Sequence, residues 1–262
     1  PDGSLFYYKK KGYGVGTGKS TNQYNYNIFN EIENTASDYS GNTIQASMQL
    51  SYKILPSLDL IAAANYSRSS TLQSTWFGER SNYAAILKNG EADDIPQTGQ
   101  NGLCELPYGG VYNTTNTITE NATGRVQLNF RHNMGGGSLI TALAGFEAST
   151  YTSDGISDQT RGYYKDRGMQ YSSLTGTDLD LYPLYKEWIA QNHRTMTAAK
   201  TNKLSGYLTL TYDYKRYFTL SLNGRFDASN KFGSRSNEKF LPVYSVSGRF
   251  DVKQTLLKEI TQ

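Results

Sequence analysis

The sequence is poor in the residues on which disulfide-bonded proteins, metal sites and helical membrane anchors depend. Its one cysteine, Cys104, excludes an internal disulfide and leaves too few thiols for a zinc or iron–sulfur site. Histidine occurs twice and proline six times. No apolar run approaches the roughly 18 residues that a membrane-spanning helix requires. Its 26 basic and 23 acidic residues are interspersed, so no broad positive field exists to hold nucleic acid.

Tyrosine and glycine are abundant instead. The 262 residues include 22 tyrosines and 25 glycines, and the mean hydropathy is -0.60. This composition is typical of β-structure with wetted surfaces rather than of a compact apolar core. In this setting we interpret Cys104 as a small loop residue rather than a reactive thiol.

Alternation of apolar and polar residues is the clearest pattern in the chain. Such a period of two places the two sets of side chains on opposite faces of a strand. It is nearly unbroken from Thr43 to Ile54 and recurs along the sequence. The pattern predicts strands near residues 43–54, 58–68, 121–133, 139–150, 203–213, 217–228 and 241–252.

Short and long connections between these strands alternate. Tight turns are predicted at 55–57, 134–137 and 214–216, whereas 69–117 and 151–200 are long and polar, as is the leading segment 1–42. Two loops near fifty residues count against a compact soluble domain. Outer-membrane barrels have this asymmetry, with short turns at one rim and long extracellular loops at the other. We therefore predict an all-β fold, an antiparallel transmembrane β-barrel segment with long extracellular loops.

Strands that cross a bilayer as a closed sheet present one face to lipid, because only a closed sheet pairs every backbone group. The apolar positions of the alternating segments are the predicted lipid-facing side chains. These are Ile44, Met48, Leu50, Val126, Leu128, Phe130, Leu208, Leu210, Phe218, Leu220, Leu222 and Phe226.

Two stretches near the end of the sequence carry a family resemblance. Residues 216–233 read RYFTLSLNGRFDASNKFG, and residues 240–250 read FLPVYSVSGRF. The first resembles a strand that ends in an Arg-x-Asp-x-Ser-x-x-Phe-Gly turn in the SusC/RagA family of TonB-dependent transporters. The second resembles the family's Phe-Pro-x-x-Ser-x-Gly-Trp strand, with Arg249 in place of the tryptophan. Weaker similarity extends over roughly residues 28–260, including LPSL at 55–58 and LAGFE at 143–147.

The resemblance implies a fold and a function. Such transporters have a barrel of about 22 strands filled by a plug, of which this chain would form about seven to eight strands without the plug or the TonB box. The intact protein would be a multi-pass protein of the bacterial outer membrane that imports glycan oligosaccharides or peptides. Its partners would be a SusD-like surface lipoprotein, TonB–ExbB–ExbD through parts outside this chain, and outer-membrane lipid. No cofactor is expected.

The long loops contain the predicted substrate- or partner-binding residues. Aromatic side chains are interleaved there with Asn, Asp and Arg, a combination that suits sugar rings, peptides or a partner lipoprotein, and also suits packing between loops. The candidates are Trp76, Phe77, Tyr83, Tyr108, Tyr112, Tyr163, Tyr164, Tyr182, Tyr185 and Trp188.

Catalytic and metal chemistry find no support in the sequence. The segment 12–20 ends in Gly-Lys-Ser, but Tyr13 occupies the position where a phosphate-binding loop requires its first glycine. His132 and His193 lie far apart with no nucleophile motif beside either. Loop acids such as Asp178 and Asp180 lack a regular calcium-loop spacing. We predict no catalytic residue, no metal site and no enzyme activity.

Two other classes of protein share the alternation. A soluble carbohydrate-binding β-sandwich would bury its apolar faces against a second sheet, but does not explain fifty-residue loops at one edge. A small complete outer-membrane barrel or adhesin of about eight strands would need a further strand, which residues 22–32 could supply.

Overall fold

A computed structural model describes residues 6–11, 23–89, 104–192, 194–215, 217–232 and 240–252. The glycine-rich segment 12–20, His193 and Arg216 lie outside the described residues. The strands are β1 (Tyr8–Lys11), β2 (Gln23–Tyr26), β3 (Thr35–Leu55), β4 (Leu58–Phe77), β5 (Gly110–Gly135), β6 (Ser138–Tyr164), β7 (Gln170–Tyr171), β8 (Thr195–Tyr214), β9 (Phe218–Ser229) and β10 (Phe240–Phe250). The helices are α1 (Ile28–Asn34), α2 (Asn82–Asn89), α3 (Thr177–Asp180) and α4 (Pro183–Gln191).

Seven strands form one antiparallel sheet in the order β10-β9-β8-β6-β5-β4-β3. In its register Leu208 lies opposite Gly224, and Leu222 lies opposite Val246. The short strand β7 pairs with the end of β6, and β1 pairs with β2 in a separate two-stranded sheet. None of the described helices is long and apolar enough to cross a membrane.

The strands extend further into the predicted loops than the alternation indicated. β4 continues to Phe77 instead of 68, β5 begins at Gly110 instead of 121, and β6 continues to Tyr164 instead of 150. The long connections that remain span 78–109 and 165–194, and each contains helix. The extensions are polar on both faces, so they lack the period-two signal, and pairing with neighbouring strands specifies them instead.

Two of the hairpin turns have only two residues. Pro56 and Ser57 connect β3 to β4, where the fixed φ of proline ends the ladder. Gly136 and Gly137 connect β5 to β6 with φ of 59° and 83°. Positive φ at both central residues is what a type I′ hairpin turn requires, and glycine meets it without strain.

The chain divides into two compact units. The loop unit comprises Pro1–Asn42, Ser70–Thr117 and Gly155–Thr197, and the strand unit comprises Thr43–Ser69, Ile118–Asp154 and Ala198–Gln262. The loop unit occupies nearly the same residues as the three predicted outer loops.

The polar face of the strand unit is a network of side-chain hydrogen bonds. The Tyr207 hydroxyl donates to Oε1 of Gln127 at 3.0 Å. The tyrosine ring lies so close to Gly145 that a Cβ there would come within 2.2 Å of it, so a larger residue at position 145 would displace the ring. Ser205 donates to Asp227 at 2.6 Å, and Arg225 donates to the same carboxylate at 2.8 Å. These contacts join β5, β6, β8 and β9 on one side of the sheet.

The opposite, apolar face of the strand unit is open. Ten of the twelve predicted lipid-facing side chains are exposed, with exposed fractions from 38% at Leu210 and Phe218 to 71% at Met48. Phe130 and Leu220 are half-buried. Within the described residues, no second sheet covers this face.

The loop unit has a small apolar core around α2. Ala84, Leu87, Leu106 and Val111 are buried together, and Phe77 and Tyr83 pack against them. The Ser81 hydroxyl accepts from the backbone N–H of Ala84 and caps α2. In α1, the side chain of Asn27 accepts from two backbone N–H groups in the same way. These helices arise inside segments that the sequence assigned to loops.

Residues 22–32 do not supply a further strand to the large sheet. Gln23–Tyr26 pairs with β1, and Ile28–Asn34 is helical. The prediction of an eighth strand from this segment is therefore wrong, because Asn27 caps a helix where the strand would have continued.

Candidate functional site

All ten aromatic candidates lie in the loop unit. Trp76 and Phe77 end β4, Tyr112 is on β5, and Tyr163 and Tyr164 end β6. Tyr83 is on α2, Tyr108 and Tyr182 are in connections, and Tyr185 and Trp188 are on α4. Six of the ten form three ring contacts: Phe77 with Tyr83, Tyr112 with Tyr163, and Tyr185 with Trp188.

Several of these rings pack against other side chains of the protein. Tyr112 and Tyr163 stack with centroids 4.6 Å apart, and Phe77 and Tyr83 belong to the core of the loop unit. Burial raises the pKa of the Tyr163 hydroxyl. The Nζ atom of Lys165 lies 4.5 Å from the Trp76 ring centroid, a cation–π distance. Tyr108 is 45% exposed and remains open to a ligand.

Arg161 is the central charge of the site. Its side chain is 7% exposed and extends from the end of β6 towards Glu105. Nη1 donates to the Glu105 carbonyl oxygen at 2.8 Å and lies 3.0 Å from the Glu105 carboxylate. The guanidinium carbon lies 4.5 Å from the centroid of the Trp188 ring. Burial lowers the pKa of Arg161, whereas the Glu105 carboxylate raises it in opposition.

Helix α4 is fixed against β6 by hydrogen bonds to Gln159. The Trp188 indole N–H donates to Oε1 of Gln159 at 3.2 Å, and the Asn192 side chain donates to the Gln159 carbonyl oxygen at 2.9 Å. The Tyr185 ring is buried and lies nearly parallel to Trp188, with centroids 5.7 Å apart. Arg161 therefore lies where a helix, a strand and the 104–109 segment meet.

Beside this junction lies a polar cavity of about 390 Å³. Carboxylates and carboxamides provide most of its lining, together with one indole and one leucine. The lining residues are Glu105, Leu184, Glu187, Trp188, Gln191 and Asn192.

Of these lining residues the sequence predicted only Trp188. The others were missed because 151–200 was interpreted as an irregular loop. A signal was present, since Leu184 and Trp188 are apolar residues four positions apart and Pro183 begins the helix.

A second recess, of about 1040 Å³, lies on the apolar face of the strand unit. It crosses six strands along a row in which small side chains replace bulky ones. Its floor includes Ala46, Ala64, Ala122, Gly124, Ala148 and Ala228.

Two of the loop acids are engaged in ion pairs. Asp180 pairs with Lys186, and Asp158 lies 3.5 Å from Arg194. Among the described residues, no group of three or more His, Cys, Asp or Glu side chains is arranged to hold a metal ion.

Cys104 is buried at 8% exposure, and burial raises the pKa of its thiol. The thiolate is the reactive form, so both effects slow alkylation. We expect Cys104 in the folded protein to react with iodoacetamide at pH 8 at least about tenfold more slowly than in guanidinium. Mass spectrometry of timed samples measures both rates, and equal rates would show that the thiol is accessible.

Comparison with known proteins places the fold. No protein-family model matches the chain, and no curated protein matches it. A solved structure of the RagAB peptide importer in its closed-closed state matches with a TM-score of 0.60 at 19% identity, over 85% of this chain and 21% of that one. A structure of the RagAB peptide transporter matches with a TM-score of 0.60 at 20% identity, with the same coverage. The open-open state gives 0.57 at 19% identity.

The chain thus spans about a fifth of the length of these solved chains. At such identity the likeness establishes the fold alone. The predicted fold class, an antiparallel segment of a transmembrane β-barrel, is confirmed by the sheet and by these neighbours.

Proposed function

We propose that this chain forms part of the barrel wall of a TonB-dependent transporter of the SusC/RagA type, which imports peptides or glycan oligosaccharides across the bacterial outer membrane. One observation carries the proposal. Seven antiparallel strands expose an apolar face and link their polar side chains to one another on the other face. A sheet in contact with lipid on one side and with a wet lumen on the other requires this division.

Strand direction supports a larger barrel. In a sheet of seven successive antiparallel strands, the first and the last run in the same direction. β3 and β10 therefore cannot pair with each other in antiparallel fashion, and both have unpaired edges among the described strands. Unpaired backbone groups are costly in hydrocarbon, so closure requires an odd number of further strands.

Strand length supports a wall that rises above the bilayer. About 9–11 residues of a tilted strand cross the hydrocarbon. β5 has 26 residues and β6 has 27, and their extra length belongs to the loop unit. Residues of the loop unit would then contact the proposed SusD-like lipoprotein and the substrate. TonB–ExbB–ExbD would act through other parts of the protein.

The neighbouring structures are of a peptide importer, which favours peptides as the proposed substrate. The proposal assigns the chain no catalytic step. A soluble sandwich is disfavoured because residues such as Met48 and Leu50 are exposed at 71% and 63% with no described sheet against them.

The test begins with the endogenous protein. Outer membranes are extracted in detergent, peptides of this sequence are mapped onto the purified species, and its mass and associated proteins are determined. We expect a species of about 100 kDa that copurifies with a lipoprotein. Cells with and without its gene are then compared for uptake of labelled peptides and oligosaccharides, with an uncoupler as control. We expect uptake to be lost both in cells without the gene and in cells treated with the uncoupler. In the mass determination, a soluble species of the mass of this chain alone would favour the sandwich.

A further inference from the structure

The cavity beside α4 has an unequal supply of hydrogen-bond donors and acceptors. Three N–H groups of its lining side chains already donate within the protein: the Trp188 indole N–H and one amide N–H of Asn192 to Gln159, and one amide N–H of Gln191 to Oε1 of Glu187 at 2.8 Å. One amide N–H each remains on Asn192 and on Gln191. A ligand therefore meets few donors in this cavity that lack a partner.

The acceptors are less engaged. Glu105 directs Oε2 at Arg161. In the described part of the chain, neither its Oε1 atom nor Oε2 of Glu187 accepts a hydrogen bond or ion pair. A carboxylate has about four lone-pair sites, so both residues have capacity to accept from a ligand.

The charges at the cavity also favour a ligand with a positive charge. Glu105 and Glu187 contribute two negative charges to the lining, and Arg161, at Glu105, contributes one positive charge. The neighbouring Lys186 is paired with Asp180 and does not neutralise Glu187. One negative charge at the cavity is left for a ligand to balance.

We propose that this cavity binds a primary ammonium group, as carried by a peptide amino terminus or a lysine side chain. An ammonium has three donors, no acceptor and one positive charge, the complement of the lining. A sugar ring would need free donors and a free indole face, but Trp188 already contacts Arg161 and Tyr185. A metal ion would need more anionic ligands than the two carboxylates provide. The inference rests on the proposed function, because it specifies which peptides the transporter selects.

The test uses the intact outer-membrane protein in detergent and three pentapeptides that share a neutral sequence. One is blocked at both ends, one has a free amino terminus, and one is blocked but carries a single lysine. Isothermal titration calorimetry measures each affinity. We expect one or both cationic peptides to bind at least about tenfold more tightly than the blocked neutral peptide, and the cationic peptide that binds more tightly identifies the source of the ammonium.

The decisive variant is Glu187→Gln, because Glu187 is exposed and its removal leaves the Glu105–Arg161 pair intact. We expect it to lower the affinity for the cationic peptide about tenfold and leave the neutral peptide unchanged. Asp166→Asn, an exposed acid in the turn after β6, is the matched control and should change neither.

Equal affinity for all three peptides, or equal loss of the cationic and neutral peptides in Glu187→Gln, would overturn the ammonium site. The uptake assay separates this result from failure of the proposed function. If labelled neutral peptides still enter cells only when the gene is present, the transporter stands and the cavity assignment falls. If neither peptide nor oligosaccharide enters, both fall.

Discussion

Leu208→Arg is expected to destabilise the intact barrel in lipid by about 2–4 kcal/mol, the cost of a basic side chain near the middle of the bilayer. Leu208 lies halfway along the predicted crossing segment 203–213, on the apolar face, and is 55% exposed. In a water-soluble protein, arginine at so exposed a position would cost less than about 0.5 kcal/mol. The substitution therefore distinguishes a surface that faces lipid from one that faces water.

The measurement is guanidinium unfolding of the full-length protein in phospholipid vesicles, followed by fluorescence. Thr209→Arg is the matched control, since Thr209 is adjacent in sequence, lies on the polar face opposite Asn223 and is half-buried. A new charge there meets a hydrogen-bonded wet surface, and we expect a loss of less than half that of Leu208→Arg. If the two substitutions lower the free energy of unfolding equally, or if Leu208→Arg does not change it, the apolar face does not contact lipid.

The strand unit could be predicted because its two faces carry opposite residue types. From Thr43 to Ile54, lipid on one side and a wet lumen on the other would select opposite residue types at successive positions, and this selection leaves a period of two in the sequence. The same holds for Phe218–Asp227. Turn chemistry at Pro56 and at Gly136 then fixed the hairpins.

The parts of the strands that belong to the loop unit could not be predicted from the sequence, for the converse reason. Residues 153–160 of β6 read SDGISDQT and alternate weakly, because polar side chains occupy both faces. Nothing local distinguishes such a segment from a loop. Its extended conformation depends on cross-strand contacts distant in sequence, such as Gln159 to Asn113 at 2.9 Å and Ser157 to Thr115 at 3.0 Å.

The sequence predicted some residues of the candidate site but not the helix, α4, that positions them. Aromatic content indicated Tyr185 and Trp188, but the helix that positions them was predicted as loop. The charges were not predictable in the same way. Glu105 and Arg161 are 56 residues apart, and their ion pair exists only because the 104–109 segment is anchored to α2, where the Glu105 N–H donates to the carbonyl of Leu87 at 2.8 Å.

That ion pair is the basis of the second large expected effect, which concerns Arg161→Ala. The substitution removes a cation that is 7% exposed, two contacts to Glu105 and the contact with Trp188. Losing one partner of a buried pair costs about 3–5 kcal/mol. The Glu105 side chain is 37% exposed and regains water, so we reduce the expectation to about 2–3 kcal/mol. This loss should be local to the loop unit.

Hydrogen exchange of the full-length protein in detergent measures this local loss of stability. Amides of 183–192 in Arg161→Ala should exchange about 30- to 160-fold faster than in the wild type, because α4 loses the side chain that its indole contacts. Amides of 203–213 should be unchanged. Arg194→Ala is the control, since its pair with Asp158 is 3.5 Å long and its side chain is 58% exposed, so its effect should be below about 1 kcal/mol. Arg161→Lys keeps the charge but not the planar group that lies over Trp188, and should fall between the two. Equal exchange in Arg161→Ala and Arg194→Ala would mean that α4 is held by its bonds to Gln159 alone and that Arg161 is not the centre of this junction.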